Sequence, residues 1–276
     1  MSPGPGWRAR LELHYRRDGE RTVAFDRHEG PLRVLKALYP EGAGICHHVI
    51  VHPPGGIVGG DALQVQARLE PGAQALVTTP GAARFYRSAG APARQHAQLT
   101  LAGDARLEWL PLETLAHRDC IAENHVTLAL DDDAQCLGWD LLALGLPASG
   151  EAFDRGSFHT RLEWPGVWLD AGRIRGDDTR LLDSPLGLGG RRVLATLWFA
   201  AGRAWPREPR EALLDAARAA IGDAQAGATA VCPRVLVLRV LADRVEPAMQ
   251  LLQRVRAAWR RIAWDLAPDV PRVWRT

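Results

Sequence analysis

At 276 residues with 47% hydrophobic content, the chain can bury a substantial core, in one large domain or two small ones. Its formal net charge of only +2 points to neither nucleic acid nor a membrane surface as a partner. With no apolar run of about 18 residues and no signal peptide visible, a soluble cytoplasmic protein is expected.

Most of the chain carries a period of two, the signature of half-buried strands. Trp7, Ala9, Leu11, Leu13 and Tyr15 open this pattern. The stretch from Ile45 to Leu69 is the most distinctive. In a strand, Cys46, His48 and His52 share one face and His47 takes the other with Ile45, Val49 and Val51. Imidazole and thiolate together suit zinc, nickel or copper; the same residues also read as ordinary packing and hydrogen-bonding groups. Gly55, Gly56, Gly59 and Gly60 follow, but they fit no phosphate-binding pattern, because the next residues alternate as a strand and supply no helix N-terminus. These glycines provide backbone freedom and close approach. Asp61, directly after them, is either a turn-capping carboxylate or an exposed contact residue.

Further strands are predicted around Ala97–Leu101, Leu107–Trp109, Val126–Leu130, Phe158–Trp164, Val193–Phe199 and Val235–Leu241. Turns at Glu70-Pro71-Gly72, Ala102-Gly103-Asp104 and Trp164-Pro165-Gly166 separate several of them, and Asp131-Asp132-Asp133 reads as a solvated turn. Two helices appear late. One spans about 208–221, entered through Pro206 and Pro209 and closed by Gly222. The other spans about 244–266, with Ala248, Leu251, Leu252, Val255, Trp259 and Ile262 on an apolar stripe and Arg254, Arg256, Arg260 and Arg261 largely elsewhere. That helix is read as a lid on the β core, or as one whose arginine face docks an acidic partner. The expected fold is mainly β, many short strands stacked in sheets in a β-helix-like or sandwich-like body, with two helices in the C-terminal quarter. No repeat of fixed period is evident, which disfavours a regular solenoid. No linker divides the chain, so one domain over 1–276 is expected.

Of the 34 basic residues only Lys36 is a lysine, and an arginine-rich surface suits protein interfaces. The tryptophans of the second half (Trp164, Trp168, Trp198, Trp205, Trp259, Trp264 and Trp274) fit either exposed interface surface or core packing. Cys46, Cys120, Cys136 and Cys232 form no CxxC pair and are expected as free thiols. Catalytic patterns are missing: there is no G-x-S-x-G and no H-E-x-x-H. Glu113, Asp140 and Glu151 each stand where a strand meets a turn.

Several blocks nevertheless resemble one known family. Leu38-Tyr39-Pro40-Glu41-Gly42, Cys46-His47-His48, His52-Pro53-Pro54-Gly55-Gly56-Ile57-Val58-Gly59-Gly60-Asp61 and Thr78-Thr79-Pro80-Gly81-Ala82-Ala83-Arg84-Phe85-Tyr86-Arg87-Ser88 are similar to the signature blocks of the UreD (also called UreH) urease accessory proteins. Glu108-Trp109-Leu110-Pro111-Leu112-Glu113-Thr114, Gly138-Trp139-Asp140, Leu144-Gly145, Ala148-Ser149-Gly150-Glu151 and Pro271-Arg272-Val273-Trp274 continue the resemblance in the family's order.

The resemblance implies a non-enzymatic scaffold that binds urease apoprotein and, with a helical accessory protein of the UreF type and a GTP-hydrolysing nickel carrier of the UreG type, helps load the urease site. It implies nickel held transiently, no permanent cofactor, and a polar internal passage to which Asp61, Glu113 and Asp140 would belong. Gly55, Gly56, Gly59, Gly60, Arg84, Tyr86, Arg87 and Glu151 would be motif or partner-contact residues. The chain departs from the family's pattern where Arg84 replaces a lysine, Leu146 an arginine and Leu112 a glutamine. If that arginine pairs with a carboxylate of the passage or of a partner, this chain must balance the charge otherwise, for instance through Arg155 or Arg161. A metal-dependent enzyme using Cys46, His48 and His52 as ligands, with Asp61 or Glu113 as general base, is the alternative.

Overall fold

Through the middle of the chain the backbone changes sheets at almost every turn. The computed structural model describes residues 6–146 and 149–275. Its strands are β1 (Arg8–Asp18), β2 (Arg21–Glu29), β3 (Arg33–Val34), β4 (Ile45–Val51), β5 (Ala62–Leu69), β6 (Gln74–Thr78), β7 (Ala83–Phe85), β8 (Ala93–Leu101), β9 (Arg106–Leu110), β10 (Thr114–Ala116), β11 (Ile121–Leu130), β12 (Gln135–Leu144), β13 (Ser157–Trp164), β14 (Trp168–Arg175), β15 (Val193–Ala201), β16 (Ala226–Cys232) and β17 (Val235–Ala242). The helices are α1 (Thr179–Asp183), α2 (Arg207–Ile221) and α3 (Val245–Trp264).

One sheet runs β14-β13-β11-β8-β5-β1-β2 and the other β16-β17-β15-β12-β9-β6-β4-β3. Strands β5, β8, β11 and β13 pair in parallel in the first, and β4, β6, β9 and β12 in the second. The chain therefore winds between two sheets, and the expected stack of short strands is what forms.

This winding has a repeat that fixed-period inspection does not detect. One step is 32 residues, from Gln66 to Gln98; the next is 29, from Gln95 to Asn124. Unequal steps hide the period while the turns stay equivalent. Ala73, Ala105 and Ala134 are all buried at the same place in successive turns, and each donates its N–H three residues back. The expectation against a solenoid is thus corrected in part: the coil is irregular in sequence and regular in backbone.

Apolar side chains from both inner faces, among them Leu11, Val65, Leu99, Leu107 and Trp198, fill the space between the sheets. A second cluster covers the other face of the second sheet, where Leu137, Trp139, Leu197 and Phe199 meet Leu213, Leu252 and Trp259 of α2 and α3. Strand β12 consequently contributes to both clusters, Leu142 and Leu144 inward and Leu141 and Ala143 outward, which explains its near-continuous apolar sequence.

Helix α2 ends where Gly222 takes φ 56°, and α3 ends at Asp265 in the left-handed conformation. Two readings of this region change. Ile262 is 41% exposed and does not belong to the packed stripe. Arg256 and Arg260, expected on a solvent face, are fully buried. Their guanidinium groups bind Glu108 on β9, and Arg260 also binds Glu41, which accepts from His47 at 2.7 Å. The lid reading holds, and these two arginines are spent inside. Trp164, Trp198, Trp205, Trp259 and Trp264 are buried as well, so they are core rather than interface.

Candidate functional site

The glycine-rich loop after β4 is built by two different requirements. Gly55 and Gly60 have φ values of 76° and 97°, where a side chain is strained. Gly56 and Gly59 are instead crowded: a Cβ would stand 2.0 Å from the Tyr86 ring and 2.2 Å from Ser88 Oγ, respectively. Asp61 closes the loop. Its Oδ1 accepts the Trp7 N–H at 2.8 Å and its Oδ2 the Val58 N–H at 2.9 Å, and it is 5% exposed. Its capping role is therefore realised, with both oxygens engaged.

Cys46 and His48 lie on the inner side of β4, and His52 lies just beyond the strand. Burial pushes the Cys46 thiol up to about 11 and His48 down to about 4, so both are neutral near pH 7. The Tyr15 hydroxyl meets His48 Nδ1 at 2.9 Å. Among the described residues, no group of three or more His, Cys, Asp or Glu side chains forms a metal cage, so Cys46, His48 and His52 are not brought together as a ligand set. His52 differs from the other two. It lines a cavity of about 170 Å³ with Gly55, Gly56, Thr79, Arg84 and Gln95, and its Nε2 is buried without a partner.

From Gln95 a polar line crosses between the sheets. Gln95 Nε2 donates to Asn124 Oδ1 at 3.3 Å, and Asn124 Nδ2 donates to Asp140 Oδ1 at 3.1 Å. Asp140 then borders a second cavity, of about 40 Å³, with Asp170, Thr196, Arg161 and Arg239. Burial, with Asp170 adding to it, raises the Asp140 carboxyl to about 6, while Arg239 and the Asn124 hydrogen bond oppose the rise. Arg239 is paired with Asp170.

Asp61 and Glu113 line neither cavity. Glu113 is half-buried between β9 and β10, and its backbone carbonyl accepts the Ala83 N–H. The three expected carboxylates therefore do not converge on one space; Asp140 alone borders the cavity between the sheets. Gln95, Asn124 and Asp170 were not anticipated. A signal existed for two of them, because Gln95 and Asn124 are polar residues at inward positions, between Ala93 and Ala97 and between Ala122 and Val126.

At the rim, Tyr86 packs on His117 with centroids 4.6 Å apart, and His117 Nδ1 lies 3.2 Å from Glu151. Glu151 also accepts the Arg118 N–H, so Gly56, Tyr86 and Glu151 form one cluster. Arg84 and Arg87 are exposed. Arg155 and Arg161 are engaged by Asp119 and Glu163, their own partners. Ala148, part of the resemblance, lies outside the described residues.

Together these features define a β-solenoid scaffold with a helical cover and a polar line through its interior. The family model described as UreD urease accessory protein matches residues 8–275. The chain is 59% identical over 276 residues to the urease accessory protein UreD of Leptothrix cholodnii, covering 98% of this chain and 99% of the relative. It is 59% identical over 273 residues to that of Paracidovorax citrulli (97% and 99% covered), and 56% identical over 273 residues to that of Verminephrobacter eiseniae, with the same coverage. The chain belongs to the UreD family of urease accessory proteins, and its role is in urease maturation. No helix among the described residues is long and apolar enough to cross a membrane.

Proposed function

We propose that this protein is a non-catalytic scaffold that binds urease apoprotein and, with a helical accessory protein and a GTP-hydrolysing nickel carrier, passes nickel into the urease active site. The observation that carries this reading is the interior line Gln95–Asn124–Asp140, running from the His52 cavity to the Asp170 cavity. Amide and carboxylate oxygens are weak, exchangeable ligands for a divalent ion, which suits transit; a thiolate cage would hold it. His52, with its unpartnered Nε2, stands at one end and Asp140 further in. Arg84, Tyr86, Arg87 and Glu151 are assigned to the partner-facing rim.

The test is urease in cells that carry the urease genes but lack this one. Deletion is expected to leave inactive, nickel-poor urease, and the wild-type gene to restore activity and nickel together. Fully metallated urease after deletion would overturn the reading.

A further inference from the structure

On the outer face of the first sheet, opposite the interior line, three adjacent parallel strands bring three histidines into a row: His96 on β8, His125 on β11 and His159 on β13. His96 and His125 are direct register partners, and their ring centroids are 6.2 Å apart. The His125 and His159 rings are closer, 5.2 Å apart and nearly perpendicular, with His125 Nε2 only 3.4 Å from His159 Nδ1. Two imidazole nitrogens sharing one tetrahedral ion, each about 2.0–2.1 Å from it, stand about 3.4 Å apart. We infer that His125 and His159 form a surface binding site for one divalent late-transition-metal ion, with His96 as a third ligand after rotation of its ring and water completing the shell.

The surroundings carry charge of both signs: Arg94 is paired with Glu123 at 2.9 Å and Arg161 with Glu163 at 2.7 Å, while Arg173, the exposed register partner of His159 on β14, is a further cation beside the row. Glu123, the register partner of His159, stands beside the pair and is shared with Arg94. Burial lowers the pKa of both His96 and His125, and for His125 the neighbouring His159 adds to this, a direction that favours the neutral ring. Without metal, one of the two facing nitrogens carries the proton of their hydrogen bond. On binding, that ring changes tautomer, its proton moving to its other nitrogen through solvent, with no net proton released. His96 Nε2 now meets Thr127 Oγ1 at 3.0 Å, a contact a hydroxyl readily exchanges for water. Imidazole selects zinc, nickel or copper over magnesium and calcium.

The test treats the full chain with diethyl pyrocarbonate, with and without nickel or zinc chloride, and reads histidine modification by mass spectrometry. Metal is expected to slow modification of His125 and His159 specifically, leaving His14 and His28 unchanged. Equilibrium dialysis should then show His125→Gln or His159→Gln weakening binding about tenfold or more, His96→Gln by less, and Asp140→Asn leaving the protection intact. Protection that is absent, uniform or confined to His48 and His52 overturns the site, as does unchanged binding in the His125 and His159 variants. The wild-type footprint needs no variant to fold.

Discussion

Arg260 of α3 is fully buried, and its Nη1 lies 2.5 Å from Oε1 of Glu108 on β9. Glu108 uses its other oxygen for Arg256, so one carboxylate answers two buried cations. Glu41 supplies the second negative charge, and Arg256 also donates to the Asp269 carbonyl at 2.6 Å, tying down the segment after α3. Removing Glu108 would leave Arg256 with no carboxylate and Arg260 with Glu41 alone. Glu108→Ala is therefore expected to destabilise the fold by about 3–5 kcal/mol, read by urea unfolding, whereas Arg261→Ala, at an exposed pair, should change stability by less than about 1 kcal/mol. Equal effects would contradict the distinction.

His48 sets a pH dependence. Burial holds its pKa near 4, below the ordinary value of 6.5. The folded state thus binds this proton less readily than the unfolded chain. The stabilisation is present above about pH 6.5 and is lost as pH falls toward 4, by a total on the order of 3 kcal/mol. His48→Gln should flatten this part of the stability profile relative to wild type. Parallel profiles between pH 6.5 and 4 would contradict it.

Gly56 and Tyr86 are coupled by space. Gly56→Ala places a methyl group 2.0 Å from the Tyr86 ring and should destabilise by about 1–3 kcal/mol while displacing the ring from His117. Adding Tyr86→Ala should recover part of that loss, a non-additivity that a double-mutant cycle measures. Strict additivity would show that the ring is not what the methyl meets.

Asp61 is a bracket, so its loss should act on folding. Asp61→Ala leaves the Trp7 and Val58 N–H groups without their acceptors and should cost about 1–3 kcal/mol in thermal or urea unfolding. Unchanged stability would instead leave its oxygens free for another role.

These predictions also show what local pattern can and cannot reveal. The strands were legible because one face is packed and the other wet, and the helix ends because Pro206 and Gly222 mark them. The coil was not legible, since its steps of 32 and 29 residues are unequal: the turns before Ala73, Ala105 and Ala134 could be read one by one but share no fixed spacing. The burial of Arg256 and Arg260 depends on one carboxylate, Glu108, 148 and 152 residues away from them, and a hydrophobic stripe counts arginine as solvent-facing. Asp140 was visible as a motif residue, but its neighbours Asp170 and Arg239 reach the cavity from separate strands, 69 residues apart in the chain. Grouping Asp61, Glu113 and Asp140 by motif alone therefore joined a loop bracket, a turn residue and an interior carboxylate.

The most direct measurement is the nickel content of urease purified from cells carrying Asp140→Asn in this protein, with co-purification confirming that the variant still binds urease apoprotein. Asn keeps the size and the hydrogen bond to Asn124 but removes the charge. The account predicts a complex that assembles normally and yields urease with clearly reduced nickel and activity. Wild-type nickel and activity from a stably expressed Asp140→Asn protein would contradict it.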